Sequence, residues 1–260
     1  MIDEYSLKKS YPLCYEYLSS IKERLEKRGS VNMKYTSWYS LWNSRNSDNL
    51  NSIKIITPDV RFGTDMTFDY LGQYYYNDTA YAFIKKPNCK FDYRYLISIL
   101  NSKITWFFIK NTGTMLRGGY FRFKTSYLEN FKFPSATQDQ QQSLVQKAGQ
   151  MIELNKQLHE EIQKSLNLIQ TEYKPNKISK NLEKFYTLGL NVFFDELEKQ
   201  KVKLSLIEKE ELCDWYKQKS DKLNDIKQKI TALDNAIDKD VYTLYNLTDE
   251  EIKIIEKRAE

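Results

Sequence analysis

The strongest hydrophobic rhythm in the first half of the chain runs over residues 93–110. Leu96, Ile97, Leu100, Ile104, Phe107 and Phe108 recur at three- and four-residue steps, which predicts one helix with a single apolar face. Asn111-Thr112-Gly113-Thr114 breaks it, and beyond Gly118-Gly119 the period changes to two. In Tyr120-Phe121-Arg122-Phe123-Lys124 the two Phe share one side, and Tyr120, Arg122 and Lys124 share the other. The pattern predicts a buried helix, a glycine hinge and an exposed basic strand. Upstream, Leu18, Ile21 and Leu25 mark a helix over residues 13–28 that Gly29 ends. Residues 53–57 predict a strand stopped by Pro58. Residues 68–76 and 79–84 predict two more, with Asn77-Asp78 as the turn between them.

After residue 136 the rhythm is helical. Thr137-x-x-Gln140 is a capping-box pattern. Leu144, Ala148, Met151, Leu158, Ile162 and Ile169 succeed it at alternating four and three. Asn155 falls on the same seam, as register-setting polar residues do in coiled coils. A helix over residues 138–171 spans roughly 50 Å and stops at Lys174-Pro175-Asn176. A compact helical insert precedes a second seam of Leu223, Ile226, Ile230, Leu233 and Ile237. The two long helices are expected to pair antiparallel and to bury Met151 and Ile230. Thr248-x-x-Glu251 caps a final short helix. The expected fold class is therefore α+β. A mixed α/β domain over residues 1–136 is followed by a long-helix, antiparallel coiled-coil-like part over residues 137–260.

Composition sharpens that division. Residues 1–136 carry 20 Lys and Arg against 12 Asp and Glu, whereas residues 137–260 carry 20 against 23. Of the 37 aromatic residues, 28 lie before residue 137. The basic excess is densest over residues 91–136, with seven cations and two anions. A chain of 260 residues can bury a real core. No run approaches the roughly 18–20 apolar residues of a membrane span, and the first residues have no apolar core of a signal peptide. Cys14, Cys89 and Cys213 are scattered, which suggests no disulfide framework, no zinc site and a cytoplasmic setting.

A search for catalytic chemistry finds little. His159 is the single histidine and sits among Glu160 and Glu161, as a helix-surface residue would. Gly118-Gly119 lacks the spacing of a phosphate loop. There is no Asn-Pro-Pro-Tyr run, which would mark an amino-methyltransferase. Pro58-Asp59 matches the start of a PD-(D/E)xK nuclease motif, but Asp/Glu-x-Lys comes only at Glu172-Tyr173-Lys174. Asp234, Asp238 and Asp240 have the spacing of a solvated helix face. Catalytic and metal sites are expected to be absent. On composition alone two readings remain: a basic aromatic surface for nucleic acid, or a core-forming aromatic set with ordinary surface charge. In the first reading Arg117, Tyr120, Arg122 and Lys124 are the candidate DNA-binding residues, with Arg45 and Arg61 in polar loops of the same half.

The order of motifs resembles one family. Tyr11-Pro12, Leu18 to Leu25-Glu26-Lys27-Arg28, Trp38-Tyr39 and Ile53-Lys54-Ile55-Ile56-Thr57-Pro58 resemble the target recognition region of Type IIG restriction–modification enzymes, which carry a TaqI-like C-terminal specificity domain. Tyr95-Leu96-Ile97-Ser98-Ile99-Leu100-Asn101-Ser102 resembles that family's YLL-x-ILNS helix. Gly118-Gly119-Tyr120 and Tyr127-Leu128-Glu129-Asn130-Phe131 resemble the family's segments downstream of that helix. The ending, from Leu233-Asp234 through Val241-Tyr242 to Thr248 and Glu250-Glu251-Ile252, resembles the C-terminal tail of the same enzymes. The resemblance implies double-stranded DNA as partner, together with methyltransferase and nuclease domains of the same enzyme. Those domains would methylate adenine with S-adenosylmethionine, flip the base and use Mg²⁺. No cofactor is expected in this chain, which reads as a detached specificity part. Its long helices would resemble the spacer helices of Type I specificity subunits. Two other classes stay open: a helical protein-interaction scaffold, and an enzyme whose site the motifs do not reveal.

Overall fold

The computed structural model describes residues 2–29, 35–40 and 47–259. The chain forms two compact units, Met1–Ile53 with Leu71–Tyr75, and Lys54–Tyr70 with Tyr76–Glu260.

Among its described residues the first unit holds four short helices: α1 (Glu4–Ser10), α2 (Pro12–Ser20), α3 (Lys22–Glu26) and α4 (Ser47–Asn51). Asp3 caps α1 by accepting the Ser6 N–H at 2.9 Å. Pro12 occupies the first turn of α2, where its missing N–H has no intrahelical partner to lose. The single helix expected over residues 13–28 is instead broken at Ile21, whose backbone is non-helical. Next to the break the Ser20 hydroxyl donates to the Tyr17 carbonyl at 2.7 Å and competes with the helical ladder. Arg28 ties the unit together. Its Nε donates to the Leu25 carbonyl, its Nη2 donates to the carbonyls of Trp38 and Ser40, and its guanidinium lies 4.4 Å from the Tyr35 ring centroid. Gly72 has φ +67°, and a Cβ there would lie 2.2 Å from the Asn51 carbonyl oxygen, so only glycine fits.

The second unit begins with β1 (Lys54–Pro58), β2 (Val60–Arg61), β3 (Thr67–Asp69) and β4 (Ala80–Phe83). Helices α5 (Tyr93–Leu100) and α6 (Lys103–Thr112) come next, then β5 (Phe121–Arg122) and α7 (Thr125–Leu128). The long helices are α8 (Gln138–Glu172) and α10 (Leu206–Leu244). Between them lie a 3₁₀ turn, Leu182–Thr187, and α9 (Leu190–Lys199); α11 (Asp249–Ala259) comes last. The α+β expectation holds. The expected hairpin does not: β3 and β4 flank β1, both antiparallel to it, because the chain between them leaves for the first unit. The Asn77 carboxamide oxygen still accepts from the Thr79 N–H and hydroxyl, so the turn forms without joining neighbouring strands. Lys54 sits directly opposite Asp69, and the two fully buried side chains form an ion pair at 2.7 Å. Burial of such a pair makes loss of either partner costly.

The helix expected over residues 93–110 is two helices. At the break, the Asn101 carboxamide accepts from the Met66 N–H at 2.7 Å and donates to the Met66 carbonyl at 3.0 Å. The Asn101 carbonyl accepts from Thr64, and the Ser102 hydroxyl donates to the Ile99 carbonyl at 2.7 Å. Asp238 of α10 then caps α6: its carboxylate accepts the Lys103 N–H at 3.0 Å and pairs with the Lys103 ammonium at 3.1 Å. A negative charge at a helix N-terminus is favourable for both its hydrogen bond and the helix dipole.

Helices α8 and α10 run antiparallel. Lys147 pairs with Asp240 at 2.6 Å, and further along α8 Glu161 meets Lys222 at 2.8 Å and Lys219 at 3.6 Å. Full capping boxes start both, Thr137 with Gln140 and Ser205 with Glu208. One end of the pair packs Leu166, Ile169 and Leu223 against Phe185, Phe193 and Tyr216. The other packs Leu144, Ile237 and Val241 against Tyr95, Ile99 and Phe131, so a common core spans both sides of residue 136. Between these ends the seam opens. Met151 and Ile230 are half-buried rather than buried, and they line a cavity of about 980 Å³ with Met66, Ile97 and Trp106. Asn155 is exposed and donates back to the Met151 carbonyl of its own helix at 2.8 Å, instead of fixing register.

Leu223→Asp should therefore cost several kcal/mol by placing an unpaired charge in a closed core. Ile230→Asp should cost clearly less, because its carboxylate reaches the open part of the seam. Thermal melts of the two variants check this; equal losses would contradict the open seam. Glu161 adds a pH dependence. Its hydrogen bond from Lys222, then the charges of Lys222 and Lys219, hold its carboxyl below the ordinary range. A depressed folded-state value contributes stability above the unfolded value and loses it as the pH falls through the folded one. Glu161→Gln should thus flatten the fall in melting temperature below about pH 5.

Candidate nucleic-acid interface

Thr114 to Arg122 forms a β-hairpin. Met115 and Phe121 bridge antiparallel, the Arg122 N–H donates to the Thr114 carbonyl at 3.3 Å, and the Leu116 N–H donates to the Tyr120 carbonyl at 2.6 Å. Arg117, Gly118 and Gly119 make the tip. Gly118 and Gly119 have φ of +84° and +78°, conformations that side chains with a Cβ rarely adopt. The hairpin is fixed to the sheet side through β2: Val60 pairs with Arg122 and Arg61 with Phe121. Phe121 and Phe123 are buried against Trp106, as the alternation predicts. Phe131, Leu128 and α6 complete the support.

The structure sorts the predicted residues by what holds them. Arg117 and Tyr120 are exposed at the tip and Lys124 is half-exposed at the start of α7. None of the three has an ion-pair partner among the described residues. Arg61 is exposed and contacts the Asp65 carboxylate. Arg122 is committed to a partner: its Nη2 lies 2.7 Å from Asp59 Oδ2. Arg45 lies outside the described residues.

Phe62 was not anticipated. It is half exposed, and its ring touches Trp106 on one side and Tyr120 on the other, with centroids at 5.7 and 6.3 Å. Its ring also packs beside Gly119, where an added Cβ would sit 3.4 Å from it. The signal was present in Arg61-Phe62-Gly63, a cation, a ring and a glycine together, as in Arg117 to Tyr120. The surface so built carries two aromatic rings, Phe62 and Tyr120, flanked by Arg61, Arg117 and Lys124. Cations can neutralise phosphates, and rigidly held arms with rings can contact base edges.

Several of the residues considered for catalysis have structural partners. His159 is exposed on α8. Asp238, expected on a solvated helix face, is instead buried and caps α6, and Asp240 takes Lys147 and Ser143. No group of three or more metal-ligating side chains occurs among the described residues. Among them, no helix is long and apolar enough to cross a membrane.

The site is a glycine-tipped basic hairpin braced by a buried aromatic layer. Residues 2–133 match the TaqI-like C-terminal specificity domain, and the chain belongs to that family. Residues 137–241 match a second family, described only as a domain of unknown function. No curated protein matches the chain. The family is one of specificity domains, not catalytic ones, and points to DNA sequence recognition in a restriction–modification setting.

The tip geometry generates a direct test. Gly118→Ala and Gly119→Ala should each cost about 1–2 kcal/mol through left-handed strain. Both should speed amide exchange at Leu116 and Arg122, whose N–H groups close the hairpin. Unchanged exchange in both variants would contradict the described turn.

Proposed function

We propose that this chain supplies sequence-specific recognition of double-stranded DNA to a Type IIG restriction–modification enzyme. Its adenine methyltransferase and nuclease activities, with S-adenosylmethionine and Mg²⁺, reside in other domains or subunits. The observation that carries this reading is the Arg117–Lys124 segment. Three polar arms without ion partners, Arg117 and Tyr120 on the hairpin and Lys124 just beyond it, stand on a segment whose Phe121 and Phe123 are locked in the core. Sequence reading needs side chains held rigidly on a supported element, and this arrangement supplies them. Arg61 and Phe62 extend the same surface, and Arg45 is a further candidate from the sequence. The long pair α8 and α10 acts as a spacer, about 50 Å long, between the recognition surface and the catalytic body. Half-burial of Met151 and Ile230 in an open seam also suits a protein-docking role for the helical part, and this second reading is compatible with the first.

Selection from a random pool of duplexes tests the proposal. The chain should enrich a defined site, and its affinity should fall steeply with salt. Arg117→Ala should cost about 1–3 kcal/mol on the enriched site and much less on random DNA. Lys124→Ala should weaken both alike and reduce the salt slope by about one unit. With S-adenosylmethionine, Mg²⁺ and duplex DNA, the chain by itself should neither methylate nor cleave. A triple alanine variant of Arg117, Tyr120 and Lys124 that binds the enriched site as tightly as the parent would overturn the assignment of this surface.

A further inference from the structure

We infer that Arg122 reads a guanine and that Asp59 is the positioning residue that aims it, an inference that rests on the DNA-recognition reading above. Asp59 is buried, 7% exposed, in a segment fixed on both sides. Its N–H donates to the Thr79 carbonyl at 2.8 Å, and its carbonyl accepts the Phe123 N–H at 2.7 Å. Its carboxylate therefore has little freedom. Oδ2 takes Arg122 Nη2 at 2.7 Å, while Oδ1 has no hydrogen-bond partner. On the arginine, Nε is buried without a partner, yet the side chain as a whole keeps 39% of its surface exposed.

This is a guanidinium held at Nη2, buried at Nε and partly exposed elsewhere. A purely structural ion pair would be expected to satisfy itself as a two-bond fork, because burying orphaned polar atoms costs free energy. Here only one of the possible bonds is made. The single bond to Asp59 anchors the guanidinium next to the exposed surface of the strand pair. Arginine's planar fork matches the O6 and N7 acceptors of guanine in the major groove, and an anchored side chain loses less entropy when the contact forms. The cross-strand partner of Arg122 is Val60, itself exposed, whose apolar side chain adds no acceptor of its own. The carboxylate also keeps the charge next to the arginine balanced. Arg122 therefore adds base reading rather than one more phosphate contact, which separates its role from that of Lys124.

The test is selection from the same random duplex pool with the parent chain, Asp59→Asn and Arg122→Gln, with thermal melts and salt slopes measured alongside. The parent should enrich a site with at least one strictly required guanine. Asp59→Asn should relax that position by about fivefold or more, and Arg122→Gln should lose it or shift it toward adenine, whose N6 and N7 suit a carboxamide. The other positions and the salt slope should stay as in the parent. If Asp59→Asn fails to fold, Arg122→Gln carries the test. A parent that enriches no site contradicts the DNA-recognition reading and this inference with it. A parent that enriches a site retained unchanged in the folded variants contradicts the Asp59–Arg122 assignment alone.

Discussion

The joint at Asn101-Ser102 is the constraint on which the second unit depends. Three elements meet there without sharing sequence. Asn101 binds both backbone groups of Met66 and so fixes the loop that carries Phe62. Asp238 brings α10 to the start of α6. α6 in turn ends at Gly113, beside the hairpin. A hydrogen bond to a charged group contributes about 1.5–3 kcal/mol, and an unsatisfied buried backbone group costs about 1–3 kcal/mol. The joint is thus worth several kcal/mol, a large share of the net stability of a typical domain. It also sets the distance between the two sides of the candidate interface, because Phe62 and Tyr120 are placed by the two arms that leave it.

The same joint shows how far the sequence could be read. The apolar period runs through residues 96–108 without a fault, since Leu100 and Ile104 keep helical spacing on either side of the break. Nothing local announces the interruption; the partners of Asn101 and Lys103 lie 35 and 135 residues away. The same reason hides the strand order. Asn77-Asp78 has turn chemistry, yet β1 occupies the place between β3 and β4. The strand pattern of residues 53–57 likewise gives no sign that Lys54 is buried, because its partner Asp69 lies on another strand. What was legible was legible through periodicity and caps: the long helices, the capping boxes at Thr137 and Thr248, and the burial of Phe121 and Phe123. For the site, alternation grouped Tyr120, Arg122 and Lys124 but could not show that Arg122 is held by Asp59, 63 residues earlier.

Charge separates the roles of the two sequence halves. Over residues 91–136 cations outnumber anions seven to two, and Arg117 faces solvent at the hairpin tip with Lys124 half-exposed before α7. On α8 and α10 anions are at least as common as cations, and some pair across the helices, as Glu161 with Lys219 and Lys222 and Lys147 with Asp240 show. The basic excess is thus local to the stretch that carries the hairpin, while the helical pair offers length, a packed seam at both ends and an open middle.

Hydrogen–deuterium exchange on the intact chain, with and without its selected duplex, tests the central claim most directly. The account predicts protection on the selected duplex concentrated at residues 61–64 and 114–124, and much weaker protection there on a scrambled duplex. Protection confined to α8 and α10, with the hairpin unchanged, would contradict it.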